Sequence, residues 1–208
     1  RALRTNLTNR LKGLVRKYNK IYEKSLSKEY KRGESMSRTI NDVRKFYQTN
    51  KEKSSFSVSD SIEEALSVFF SILKNQDIHV DFEYRGLQMA YGVPNEFSQI
   101  VLHILTNARE SFVRNHIQNR KMKIQIYTNE NLIVVEITDN AGDIDSSHIS
   151  RLFEPNFTTK EHGTGNGLYI TKMIIEKMNG FVKVENTEDG ARFSLSIPKF
   201  ASENNASI

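Results

Sequence analysis

Three short stretches of this chain carry residue types that handle a polyphosphate. Gly163-Thr164-Gly165-Asn166-Gly167-Leu168 places a glycine at every second position. Such a run lets backbone N–H groups approach anionic oxygens, and Gly167 opens a predicted helix, whose N-terminus favours anions. Asn107, in Leu105-Thr106-Asn107-Ala108, offers a neutral oxygen ligand. That ligand type suits Mg²⁺ held mainly by phosphates and water. Asp139, in Asp139-Asn140-Ala141-Gly142, ends an apolar run at a turn. A carboxylate there can accept a hydrogen bond from an exocyclic amine such as that of adenine. A fourth stretch, Phe153-Glu154-Pro155-Asn156-Phe157-Thr158-Thr159-Lys160, lies between the Asp139 turn and the glycines. Each stretch has a plainer reading. An Asp-Asn turn after a strand is common. The glycines do not follow a strand and lack the Gly-Lys-Ser/Thr of a P-loop, so they match neither common phosphate fingerprint. The order of all four is what points to one nucleotide site.

These residues need elements to hold them. Pro94 sits where first-turn helix prolines sit, and the helical pattern continues to about Arg114. Gln99, His103, Asn107 and Glu110 recur every three or four residues, so they project along one side of that helix. Ile100, Leu102, Ile104, Leu105 and Phe112 supply apolar faces beside the stripe. A polar stripe is also what a solvated helix face gives. Upstream, Ser59-Asp60 reads as the cap of a helix running to about Asn75. Residues 78–84 alternate apolar and polar, as a half-buried strand does, and residues 87–93 read as its partner. Residues 123–127 and 132–138 read as strands joined by a turn at 129–131. Residues 167–178 form a helix stopped by Asn179-Gly180. Residues 181–185 and 191–197 form a closing hairpin.

Residues 1–52 read as a separate unit. Leu3, Leu7, Leu11, Leu14 and Val15 make one helical apolar stripe, continued by Tyr18, Ile21 and Tyr22. Met36, Ile40, Val43, Phe46 and Tyr47 make a second, after a turn region ending at Gly33. Two helices with one apolar face each cannot bury those faces alone. An antiparallel hairpin that dimerises into a four-helix bundle solves this, so a homodimer through residues 1–52 is expected. Residues 48–55 are polar and read as a linker. Residues 53–200 form the second domain, and 201–208 a frayed tail.

Composition excludes several classes. The 208 residues are 38% hydrophobic and 26% charged, an ordinary soluble composition. No apolar run approaches the roughly 20 residues of a membrane helix, and no signal-peptide pattern is present. The chain opens on Arg1 rather than Met, so it reads as a fragment, with membrane attachment only through segments not in this chain. The absence of cysteine removes disulfides, thiolate metal sites and cysteine nucleophiles, and fits a reducing, cytoplasmic setting. The net charge of +5 comes largely from residues 1–53. Without zinc-finger spacing or stacking aromatics, that excess reads as a solvated helical face, and no nucleic-acid partner is expected.

In order, Asn107, Asp139, Phe153 with Phe157, and Gly163 to Gly167 resemble the N, G1, F and G2 boxes of sensor histidine kinases. That family shares a Bergerat-type ATP fold with gyrase, the ninety-kilodalton heat-shock chaperones and mismatch-repair ATPases. The resemblance covers nearly the whole chain. It implies an α+β architecture: an N-terminal antiparallel helical hairpin, four-helical as a dimer, followed by an α/β sandwich of the Bergerat type. It implies Mg-ATP as ligand, with Asn107 coordinating Mg²⁺ and Asp139 reading the adenine amino group. Ala141, Gly142 and Ile144 would follow in the G1 turn. Gly163, Thr164, Gly165, Gly167 and Leu168 would line the phosphates. Phe153 to His162 would form a lid containing Phe157 and Thr158, with Lys160 as a phosphate contact. The implied partner is a response-regulator receiver domain, whose Asp takes the phosphoryl group from a histidine.

Three departures matter. Gyrase-like ATPases place a water-activating Glu four residues before the metal Asn, and here that slot holds His103. Lacking a carboxylate base there, phosphoryl transfer to a protein is favoured over hydrolysis. The two usual G1 glycines are replaced by Ala141 and Asp143, and Asp143 brings negative charge and a Cβ. Third, Arg1-Ala2-Leu3-Arg4-Thr5-Asn6-Leu7-Thr8 resembles the H-box His-Glu-Leu-Arg-Thr-Pro-Leu-Thr, with Arg1 at the phosphoacceptor position. A guanidinium stays protonated and cannot be the nucleophile. None of the five histidines lies in residues 1–78. Thr5, at the slot tied to phosphatase activity in that family, is retained. The chain is thus expected to be the catalytic core of such a kinase, without autophosphorylation on its first helix. The alternatives are a degenerate, non-catalytic nucleotide-binding scaffold, and a Bergerat-fold serine kinase or anti-sigma factor lacking the hairpin dimer.

Overall fold

A computed structural model describes residues 52–160 and 165–200. The expected hairpin and its dimer contacts, with Arg1 and Thr5, lie outside the described residues, as do Gly163, Thr164 and the tail. Among the described residues no helix is long and apolar enough to cross a membrane.

The elements follow the order β1 (Ser54–Ser57), α1 (Val58–Asn75), β2 (Ile78–Tyr84), β3 (Met89–Gly92), α2 (Pro94–Arg114), β4 (Arg120–Asn129), β5 (Leu132–Asp139), α3 (Ser146–Ile149), α4 (Gly167–Lys177), β6 (Phe181–Asn186) and β7 (Ala191–Pro198). The main sheet has five strands in the order β2-β4-β5-β7-β6. Its β2–β4 pair is parallel and its other pairs are antiparallel, so the sheet is mixed as expected. Helices α1, α2 and α4 pack together over it, α2 in the middle.

Alternation along the strands decides which face is covered. Met122, Ile124 and Ile126 of β4, Ile133, Val135 and Ile137 of β5, and Phe193, Leu195 and Ile197 of β7 are all buried. Helix α2 answers with Phe97, Ile100, Val101, Ile104, Leu105 and Phe112, each fully buried at three- and four-residue steps. The other edge of α2 is then free to be polar.

Three local expectations are corrected. Residues 89–92 form a strand, but its partner is β1, not β2: Phe56 faces Ala90 and Ser55 faces Tyr91. A large residue over a small one lets both bury, and Phe56 continues onto the Phe97 ring at 5.7 Å. The parallel neighbour of β2 is instead β4, reached through α2 as a crossover helix. Second, Ser54 and Ser55 belong to β1 rather than to a linker. Third, α1 is capped by Ser57, whose Oγ accepts from the Asp60 N–H at 3.2 Å, not by Ser59-Asp60.

Candidate functional site

Helix α2 turns His103, Asn107, Glu110 and Arg114 toward one cavity of about 810 Å³. His103, Asn107 and Glu110 of the stripe therefore line a pocket rather than open solvent, while Gln99 is not part of the lining. The opposite wall comes from the segment after α3, through Leu152, Phe157, Thr158 and Lys160, and from Gly165, Gly167 and Leu168 at the start of α4. Asn166, the N-cap of α4, makes no side-chain cap, so the helix opens toward the cavity without a side-chain acceptor on its first turn.

Gly165 locks these walls together. It has φ of +69°, a left-handed conformation that favours glycine. A Cβ there would fall 2.7 Å from the Asn156 carbonyl oxygen and 2.8 Å from the Phe157 carbonyl carbon. Phe157 is held from outside by the His148 ring, edge-on at 5.5 Å, and by the Arg151 guanidinium at 4.7 Å from its centroid.

Two side chains meet across the cavity. The Lys160 ammonium donates to Asn107 Oδ1 at 2.7 Å and is paired with the Glu110 carboxylate. His103 lines the cavity one turn before Asn107, against Gly167. Burial pushes its imidazole pKa down, against a hydrogen bond to the Gly167 backbone that favours the charged form. Its Nδ1 is buried with no partner among the described residues.

Asp139, Ala141, Gly142 and Ile144 do not line this cavity: Asp139 ends β5, and the other three follow it in a loop tied to the C-terminal end of α2. Asn115, the residue after Arg114, donates from Nδ2 to the Ala141 carbonyl at 2.5 Å. Parity places Asp139: it is the next position of the inward row Ile133, Val135, Ile137, opposite Met122. Its side chain is therefore buried, only 7% exposed. Burial pushes its carboxyl pKa up, while the N–H groups of Ala141 and Ala191 pull it down. The Ala141 bond is 2.8 Å. Gly142 carries the positive φ of this turn, +93°, while Asp143 is exposed and needs no such torsion. Ile144 exchanges both backbone hydrogen bonds with the Asn186 side chain, at 2.9 and 2.8 Å.

Two charged wall residues have no role assigned from the sequence: Glu110, a member of the stripe, and Arg114, which continues it by four residues. The Lys160–Glu110 pair joins residues 50 apart and leaves no local signal.

The chain therefore combines a mixed sheet layered under helices, a cavity along one edge of α2, and a buried carboxylate at the end of β5. The family described as histidine kinase-, DNA gyrase B-, and HSP90-like ATPase matches residues 92–201, more than half of the chain, and the chain belongs to it. Within that family its relatives are sensor histidine kinases. The probable C4-dicarboxylate sensor kinase of Bacillus subtilis (strain 168) is 31% identical over 125 residues, which are 58% of this chain and 23% of that protein. The chain thus spans less than a quarter of that relative. The nucleotide-free catalytic domain of histidine kinase ThkA superposes with a TM-score of 0.64 at 27% identity, covering 71% of this chain and 96% of that one. ThkA in complex with the response regulator TrrA gives 0.60 at 23% identity, over 88% of this chain and 51% of that one, a likeness of fold.

Proposed function

We propose that residues 53–200 are the Mg-ATP-binding domain of a cytoplasmic two-component sensor histidine kinase, joined to a dimerising hairpin in residues 1–52. The observation that carries this reading is that Asn107 Oδ1 already meets a cation. The Lys160 ammonium stands on it at 2.7 Å, across a cavity walled by the start of α4. An oxygen presented to a positive charge, with no cluster of three or more acidic, His or Cys ligands among the described residues, fits a metal that brings phosphate and water ligands with it.

On this reading Asn107 holds the metal and Asp139 accepts from the adenine amino group. The Gly165–Gly167 backbone faces the phosphates, and Lys160 supplies a mobile positive charge to them. Phe157 and Thr158, with Leu168 on the same wall, close over the nucleotide and exclude water. Mg²⁺ would neutralise negative charge on the terminal phosphates as the phosphoryl group moves. His103, whose burial disfavours the charged imidazole, leaves the hydrolytic slot without a carboxylate. The chain's work is then to orient and to neutralise, and the γ-phosphoryl is handed to a histidine and on to a receiver-domain Asp.

The expected test is labelling from γ-labelled ATP. The parent chain takes no label on residues 1–50, while Arg1→His takes acid-labile label there. A variant that binds ATP yet stays unlabelled would favour the second reading, a nucleotide-binding scaffold. Arg1 at the acceptor position is the observation behind that alternative.

A further inference from the structure

Glu110 has no task in the reading above. It lies one helical turn after Asn107 on the same face of α2, and both side chains line the cavity. A carboxylate beside a triphosphate repels it. In the structure this carboxylate instead holds the Lys160 ammonium, which also donates to Asn107 Oδ1 at 2.7 Å. Arg109 Nη2 approaches the other Glu110 oxygen at 3.6 Å, so the carboxylate keeps a second cation when the lysine leaves. The Glu110 and Lys160 side chains are each 35% exposed, which screens the pair and keeps it breakable.

A metal at about 2.1 Å from Asn107 Oδ1 would bring a second positive charge onto the oxygen the ammonium now holds. Repulsion between the two cations favours release of the lysine when the metal arrives. Lys160 lies on the segment that walls the cavity, so its bonds to Asn107 and Glu110 tie that segment to α2.

We propose that Glu110 is a positioning residue that parks Lys160 on Asn107 while the site holds no nucleotide, and that the terminal phosphates of ATP release it by replacing the Glu110 carboxylate. This rests on the cavity being an ATP site. Lid order then depends on nucleotide state: the lysine ties the lid to α2 in the free protein and to the phosphates in the bound one.

The two partners have opposite signatures in ATP binding. Glu110→Gln removes the competitor and tightens ATP, on the order of fivefold for a screened pair. Lys160→Met removes a phosphate contact and weakens ATP. In the nucleotide-free protein both variants act alike: each speeds amide exchange in residues 157–160, and the double variant is no faster than either. Glu110→Ala serves as a second variant with the same expectations, and thermal melting confirms that each variant is folded. The proposal is overturned if removing Glu110 leaves lid exchange unchanged, or if it weakens ATP as Lys160→Met does. Failure of the parent to bind ATP would instead sink the underlying site reading, and the exchange data from the free protein would still decide the latch.

Discussion

Gly165→Ala should uncouple the lid from the site while leaving the core intact. Gly165 sits at φ +69°, where an L side chain costs about 1–2 kcal/mol. Its new Cβ would also stand 2.7 and 2.8 Å from backbone atoms of Asn156 and Phe157, too close for any real Cβ. Backbone cannot swing aside as a side-chain tip can, and forced overpacking of this kind costs about 1–3 kcal/mol. The sum, roughly 2–5 kcal/mol, acts on the state in which residues 156–157 lie against Gly165. The lid carries little of the core, with Phe153 only partly buried against it. Local opening is therefore cheaper than global unfolding and caps the loss in Tm.

The measurable result is a split between readouts. Amide exchange over residues 152–160 should accelerate. ATP affinity should fall by at least about thirtyfold, the equivalent of 2 kcal/mol. The melting temperature should shift by only a few degrees. Gly86→Ala is the internal control. Its φ of +71° imposes the same torsional cost, but its Cβ meets nothing within 4 Å, and it lies far from the cavity wall in sequence. It should lower stability by about 1 kcal/mol without changing ATP affinity. Unchanged lid exchange and affinity in Gly165→Ala would refute the close-approach reasoning.

Two pH effects follow from burial. His103 has a folded pKa below its usual value, so acid favours the unfolded chain, which binds the proton more readily. Stability should fall as pH drops below about 6.5, more steeply in the parent than in His103→Gln. Parallel urea-midpoint profiles would contradict this. Asp139 has the opposite shift: its folded pKa is raised, so the protonated form is favoured and stability is lost as pH rises above about 4. Asp139→Asn lacks that titration, and its stability relative to the parent should improve as pH rises above about 4; a constant difference up to neutral pH would count against a carboxylate raised by burial.

The parts legible in the sequence were those with a period. Alternation gave β2, β5 and β7 nearly to their ends, and the middle of β4, which extends beyond residues 123–127 to Arg120 and Asn129; the same period carries Asp139 into the buried row. The three- and four-residue spacing of His103, Asn107 and Glu110 gave the cavity face of α2. Pairing was less legible. Alternation marks a strand but not its neighbour, so it does not show that Phe56 and Ala90 join β3 to β1 rather than to β2. With one buried residue in four, β1 has little pattern to read, and its first two residues read as linker. The four-residue helix α3 has no period to read, and its start rests on Asp145 accepting from the Ser147 N–H at 2.9 Å. Contacts such as Lys160 with Glu110, and Asn115 with Ala141, join distant segments and arise only on folding.

The central claim is that Asn107 and Asp139 belong to one Mg-ATP site. Calorimetric titration of Mg-ATP into this chain, and into Asn107→Asp and Asp139→Asn variants with intact melting transitions, tests it most directly. The account predicts binding in the micromolar range for the parent and its loss in both variants. No binding to the parent, or binding that survives both substitutions, would contradict it.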